Sequence, residues 1–167
     1  TTLREIIDDL HAASTPDAWG TTASGWTFRR AVDALARIAQ TVAYAHRCGV
    51  MHRDIKPENL MVGELGEAHV MDWGLARRVA GPSEEGKDSS SRLLEEPGAF
   101  DLTLSGDILG TPAYMPPEQA AGARDDHGPH SDVYALGAVL YHLLAGRPPY
   151  SGQGLDILWQ IRRGPPQ

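Results

Sequence analysis

One cysteine, Cys48, is all that the 167-residue sequence carries. No disulfide can form within the chain, a usage that suits a reducing compartment. No apolar run approaches the roughly 20 residues needed to cross a bilayer, and the first residues lack the charged-then-apolar pattern of a signal peptide. The expected location is cytoplasmic, with any membrane anchor in parts of a longer parent outside these residues. Positive charge is also scarce. Against 22 Asp and Glu stand 15 Lys and Arg, a net charge of −7. A nucleic acid or an anionic membrane surface would want a basic patch, so neither is an expected partner. Phosphate binding would have to rest on a few placed groups and a metal ion. No internal repeat is visible.

The length favours one domain with a real core. Thr2-Leu3-Arg4-Glu5 has capping-box spacing and opens an amphipathic helix with Leu3, Ile6, Ile7 and Leu10 on one side. Residues 14–26, rich in Ser, Thr, Gly and Pro, read as a loop. From Thr27 to Arg47, Phe28, Val32, Leu35, Ile38 and Val42 recur at three- and four-residue steps, which predicts one long helix ended by Gly49. Leu60–Val62 and Ala68–Met71, separated by a Gly-containing link, predict a small hairpin. Residues 81–105 hold six acids (Glu84, Glu85, Asp88, Glu95, Glu96 and Asp101) opposed by Lys87 and Arg92, and read as a mobile insert. Ser131–Leu144 is apolar around nearly its whole circumference and predicts a helix buried at the centre of a domain. A short helix over Leu155–Arg163 follows. The expected fold class is mainly α with a small β-hairpin.

The chemistry is concentrated in a few blocks. His52-Arg53-Asp54-Ile55-Lys56-Pro57-Glu58-Asn59 fits H-R-D-x-x-x-x-N, and Asp72-Trp73-Gly74 resembles D-F-G with Trp for Phe. Gly110-Thr111-Pro112-Ala113-Tyr114-Met115-Pro116-Pro117-Glu118 resembles a peptide-docking loop followed by A-P-E, with Pro116 in place of Ala. Ser131-Asp132-Val133-Tyr134-Ala135-Leu136-Gly137 and Gly146-Arg147-Pro148-Pro149-Tyr150 complete the set. In this order the blocks resemble the protein kinase superfamily, and Lys56-Pro57-Glu58-Asn59 with Thr111 gives the serine/threonine pattern of bacterial-type kinases.

The resemblance implies transfer of the ATP γ-phosphate to Ser or Thr hydroxyls of protein substrates, with Mg2+. It implies that Asp54 accepts the hydroxyl proton and that Lys56 reaches the transferring phosphate. Asn59 and Asp72, brought to one edge by a strand, a turn and a returning strand, would hold the metal through hard oxygen donors. Met61 would pack under the adenine, and His52 and Trp73 would stack in an apolar column. Asp132 would accept hydrogen bonds from the catalytic-loop backbone. Thr111 would bridge Asp54 and Lys56, and Glu118 belongs to the docking segment.

The sequence also lacks parts of that pattern. No G-x-G-x-x-G and no strand lysine of the V-A-I-K type is present. Residues 1–167 are therefore expected to be a partial kinase domain, the large C-terminal lobe without the N-terminal lobe. Alone, they are expected to bind Mg-ATP weakly and not to turn over. No counterpart is found for the arginine that pairs in this family with the glutamate matching Glu118, so Glu118 is expected to lack its partner. Two rival readings are a small-molecule phosphotransferase of the aminoglycoside-kinase type, echoed by Val70-Met71-Asp72-Trp73, and a non-catalytic scaffold. The first lacks the docking segment of residues 110–118, and the intact Asp54, Lys56, Asn59 and Asp72 speak against the second.

Arg53 precedes Asp54, and in kinases with this pair the arginine contacts a phosphate on the activation segment. Thr103 and Ser105, just upstream of the docking loop, are the best-placed acceptors. Ser89, Ser90 and Ser91 sit beside acids that would repel added charge. A Thr103→Ala/Ser105→Ala double variant of the full-length enzyme is expected to lose activation. Phosphosite mapping that finds no phosphate between Leu102 and Gly110, with full activity in the variant, refutes this.

Overall fold

The structure, a computed structural model, describes residues 1–63, 65–79, 112–123, 126–152 and 155–165. The 81–105 stretch, Thr103, Ser105 and Thr111 lie outside them. Helix α1 spans Leu3–Ala13 behind the capping box read from the sequence: Thr2 accepts from the Glu5 amide and the Glu5 side chain accepts from the Thr2 amide. It buries Leu3, Ile6, Ile7 and Leu10. Helix α2, Phe28–Arg47, is N-capped by the Thr27 hydroxyl and buries Ala31, Ala34, Leu35, Ile38 and Val42. Gly49 ends it at φ 73°, a left-handed turn that glycine enters without a Cβ clash. The loop between these helices is fixed by rings. Trp19 stacks on Phe28 at 4.2 Å between centroids, and the Arg30 guanidinium lies 4.1 Å from the Trp26 ring centroid.

Two small antiparallel pairs follow. The predicted hairpin forms from β2 (Leu60–Val62) and β3 (Ala68–Val70), in register Leu60↔Val70, Met61↔His69 and Val62↔Ala68. The N-terminal residues add to it: the Val62 amide donates to the Thr1 carbonyl at 2.8 Å. The second pair, β1 (Val50–Met51) with β4 (Arg77–Arg78), was not expected from the sequence, because Arg77 and Arg78 carry no apolar signal. Its bonds are main-chain bonds, which sequence patterning does not report.

Helices α3 (Pro117–Ala120), α4 (Pro129–Ala145) and α5 (Leu155–Arg163) complete the order. Helix α4 differs from the fully enclosed helix expected. It buries Ala135, Ala138, Val139 and Leu143 against α2 and its neighbours, while Val133, Leu140 and Leu144 are exposed at 59, 38 and 52%. Its C-cap, Gly146 at φ 68°, also leaves room for His11, whose ring would lie 2.7 Å from a Cβ there. His11 donates Nε2–H to the Leu143 carbonyl at 2.9 Å, tying α1 to the end of α4. A smaller apolar cluster of Met115, Tyr150, Ile157 and Ile161 seats α5. There Tyr150 donates to the Gly164 carbonyl at 2.9 Å and lies 3.1 Å from the Tyr134 hydroxyl. Among the described residues no helix is long and apolar enough to cross a membrane.

One polar pair is embedded in the main core. The Tyr114 hydroxyl and His142 Nδ1 are 2.7 Å apart. Burial pushes the imidazole down to about 4, so it is neutral and accepts the phenol proton. Because the folded value lies below the ordinary 6.5, unfolding takes up a proton between the two. Stability is expected to be complete above about 6.5 and to fall as pH drops toward about 4, by the linkage of proton uptake to unfolding. Urea denaturation across that window checks it, with a His142→Gln variant expected to lose part of the slope.

Candidate active site

The chain leaving β1 enters the segment His52–Asn59, whose shape is set by one buried carboxylate. Asp132, in the first turn of α4, is 1% exposed. Its Oδ2 accepts the His52 amide and its Oδ1 the Arg53 amide, both at 2.8 Å. His46, at the end of α2, adds Nε2–H to Oδ2 at 2.7 Å. Arg53 itself is left-handed at φ 71°, an unfavourable conformation for a residue with a Cβ. Its amide is held by Asp132 and its carbonyl accepts from Gln119 at 3.2 Å.

His52 is 1% exposed and joins two parts of the site. The Asp54 amide donates to its Nδ1 at 3.2 Å, which makes Nε2 the protonated nitrogen, and Nε2 donates to the Met71 carbonyl at 2.9 Å. The Trp73 ring meets it edge-on, with centroids 4.6 Å apart. Trp73 also donates its indole N–H to the Val70 carbonyl at 2.9 Å, a bond that phenylalanine could not make. Sequence reading noted the Trp but had no signal for this bond.

The polar groups converge on Asp54. Lys56 Nζ lies 2.7 Å from Asp54 Oδ2, and Asn59 Nδ2 donates to the same oxygen at 2.9 Å and to the Asp54 carbonyl at 2.8 Å. Oδ1 takes neither of these bonds. Asn59 comes from a 3-10 turn, Pro57–Asn59, opened by the proline. Its carbonyl accepts the Met71 amide at 2.8 Å, which brings Asp72 alongside. Asp72 is exposed and left-handed at φ 60° and ψ 69°, its carboxylate capping the Gly74 amide at 3.4 Å. The Asn59 nitrogen is committed to Asp54, so its amide oxygen is the atom left to face a metal. A carboxylate and an amide oxygen are hard donors that fit Mg2+ shared with phosphate oxygens. Met61 is half-exposed on β2 between the buried Leu60 and Val62, and so faces away from the core.

Glu118, expected to lack its arginine partner, is held by other groups. Its Oε1 accepts the Ser131 hydroxyl at 2.5 Å and lies 3.5 Å from His130 Nε2, all at the N-terminus of α4, where the helix dipole favours a carboxylate. Nearby, burial pushes the His127 imidazole below its ordinary value, and the charges of Arg53 and Arg77 act in the same direction. Sequence reading missed Arg77 as a member of this positive region, since β4 itself was not foreseen.

A family model described as the protein kinase domain matches residues 12–164. The chain is similar to serine/threonine-protein kinase PknD of Protochlamydia amoebophila, 43% identical over 120 residues, or 71% of this chain and 12% of the relative. It is similar to serine/threonine-protein kinase PknB of Mycobacterium tuberculosis, 36% identical over 141 residues, or 84% of this chain and 20% of the relative. A probable PknB of Bifidobacterium longum is 39% identical over 115 residues, or 69% of this chain and 14% of the relative. The chain thus spans a fifth or less of the length of these curated relatives.

Asp132→Ala is expected to lower stability by about 3 kcal/mol or more, because it strands the buried donors that share the carboxylate. Val133→Ala, on the exposed side of the same helix, should change it by no more than about 0.5 kcal/mol. Denaturant titration of both variants checks the contrast.

Proposed function

The chain belongs to the protein kinase family, and from that membership we propose that the protein containing it phosphorylates Ser or Thr hydroxyls of proteins. These residues form the catalytic-loop side of the site, in the large lobe of the domain. The observation that carries the reading is the convergence of Lys56 and Asn59 on one oxygen of Asp54 while the other takes neither bond.

Phosphoryl transfer asks the protein mainly for alignment and charge neutralisation. Asp54 Oδ1 receives the hydroxyl of the substrate and takes its proton as the oxygen–phosphorus bond forms and the bond to the leaving diphosphate breaks. Lys56, resting on Asp54 in this structure, would turn its ammonium to the transferring phosphate. Asn59, anchored by its bond to the Asp54 carbonyl, keeps the carboxylate from turning away through its bond to Oδ2. The family uses ATP and Mg2+. Asn59 Oδ1 and the Asp72 carboxylate would hold the metal, which supplies positive charge to the phosphate oxygens when bound. Met61 would line the adenine site.

Arg53 and Arg77, which both act on His127, would receive an anionic group from the activation segment. Thr103 and Ser105 are the proposed acceptors, Thr111 the proposed bridge to Asp54 and Lys56, and Glu118 and Asp132 the supports of the docking segment and the loop. The protein partner is a substrate with a Ser or Thr acceptor.

In the protein carrying the complete domain, Asp54→Asn is expected to lower kcat by about 10²–10⁴-fold with little change in nucleotide affinity. Asp72→Asn should also weaken Mg2+-dependent nucleotide binding. Phosphate-transfer assays beside calorimetric titration separate the two, and near-normal turnover in Asp54→Asn rules out the assigned role.

A further inference from the structure

Three arginines gather around one cleft in a chain whose net charge is −7. The cleft, about 290 Å³ in volume, lies between the N-terminal half of α2 and the turn joining β2 to β3. Arg29, Arg30 and Arg37 come from α2, and Asp33 is the one acid among the described residues that line it. Two of the cations are set by their neighbours. Arg30 lies over the ring of the buried Trp26, and Arg37 donates from Nη1 to the Gly66 carbonyl at 2.6 Å. Gly66, at φ 88°, makes room for it: a Cβ there would lie 2.6 Å from the same nitrogen. Arg29 is exposed. On the facing turn Leu65 is 90% exposed, and the Glu67 carboxylate is turned back onto the Leu65 amide at 3.2 Å.

These charges do not serve the helix. Arg29 and Arg30 occupy its first turn, which holds no acid, and the helix dipole disfavours cations there. Asp33 stands four residues from both Arg29 and Arg37 and offsets only part of three like charges. The arrangement also selects among anions. Arg30 and Arg37 are seven residues apart on α2, a rise of about 11 Å. A single phosphate is too small to meet both. Carboxylates spaced along an extended chain, at about 3.3 Å per residue, cover that span within three or four residues. An apolar side chain among them finds Leu65 beside it.

We propose that this cleft is a docking site for an acidic segment of the protein substrate, bound apart from the hydroxyl that reacts. The carboxylates of the segment pair with Arg29, Arg30 and Arg37, and one of its apolar residues covers Leu65. Val62, which lines the cleft, ends the strand that begins at Leu60, directly after Asn59. From Asn59 to Val62 the chain runs about 10 Å, so a tether of several residues joins the docked segment to a hydroxyl at Asp54. That the segment belongs to a substrate rests on the kinase reading. That the cleft takes an acidic segment rests on its own geometry.

The experiment uses the protein carrying the complete kinase domain. Fluorescence anisotropy follows a labelled peptide of Glu-Glu-Leu repeats beside its Gln-Gln-Leu counterpart, with inorganic phosphate as competitor. The acidic peptide is expected to bind about tenfold tighter than the neutral one or better, and to weaken with added salt. Arg29→Glu, at an exposed position, should weaken it about tenfold, and Arg29→Glu/Arg37→Gln further. A kinetic arm joins a Ser-containing acceptor peptide to the acidic segment through a Gly/Ser linker. Its KM should lie about tenfold below that of the acceptor alone, with kcat within about twofold. Arg29→Glu should abolish this difference and leave the untailed acceptor unchanged. Equal binding of the neutral peptide, displacement by phosphate at the peptide's own concentration, or indifference to both arginine variants overturns the proposal. An acidic peptide that binds and leaves KM unchanged overturns the substrate role. If the wild-type protein transfers phosphate to no acceptor, the kinase reading is what fails. Anisotropy then decides by itself whether the cleft takes an acidic segment.

Discussion

A carboxylate that is 1% exposed has almost no water to stabilise its charge, and Asp132 is such a group. Burying it without partners would cost several kcal/mol, so the surrounding chain must bring donors to it. Those donors come from two directions: the end of α2 through His46, and the catalytic loop through the amides of His52 and Arg53. Both amides can point at one carboxylate only if the chain turns sharply between them. The left-handed φ of 71° at Arg53 is the result. That strain, of order 1–2 kcal/mol, is stored where it sends His52 inward and Asp54 outward. The direction in which Asp54 points is thus a by-product of satisfying a buried charge.

The same logic recurs a strand away. His52 spends both ring nitrogens on the backbone, one toward Asp54 and one toward Met71, so the loop and the end of β3 cannot move independently. Immediately beyond, Asp72 is the other left-handed residue with a side chain among the described residues, at φ 60°. A short polar side chain that caps its own turn tolerates this conformation better than most. Trp73 closes the corner with its indole bond to Val70. Two strained residues flank one histidine, each held by hydrogen bonds rather than by apolar packing.

Much of the fold was legible in the sequence because its signals are periodic. The stripe Leu3, Ile6, Ile7 and Leu10, the steps from Phe28 to Val42 and the two sides of the hairpin each have a period that belongs to one element. The blocks around Asp54 and Asp72 were legible because the chemistry demands particular residues at fixed spacing. What escaped was carried by the backbone or by isolated side chains. The β1–β4 pair rests on main-chain bonds and shows two arginines outward. His46 looks like any helix-end histidine until α4 is placed beside it. The exposure of Val133, Leu140 and Leu144 could not be read from an all-apolar helix, since hydropathy reports what a surface is and not what lies against it. Glu118 found Ser131 and His130 only because the fold brings the start of α4 to the end of the docking segment.

The β1–β4 pair has a consequence for how such a chain can diverge. Its register, Val50↔Arg78 and Met51↔Arg77, with the Val79 amide on the Gly49 carbonyl, is written in atoms that every amino acid except proline supplies. The side chains of Arg77 and Arg78 point outward and are not needed to hold the strands together. Selection can therefore exchange the charge displayed beside the catalytic loop, from basic to acidic or neutral, without touching the alignment of the loop itself. The alignment of the strands and the charge they display are thus carried by different atoms of the same residues.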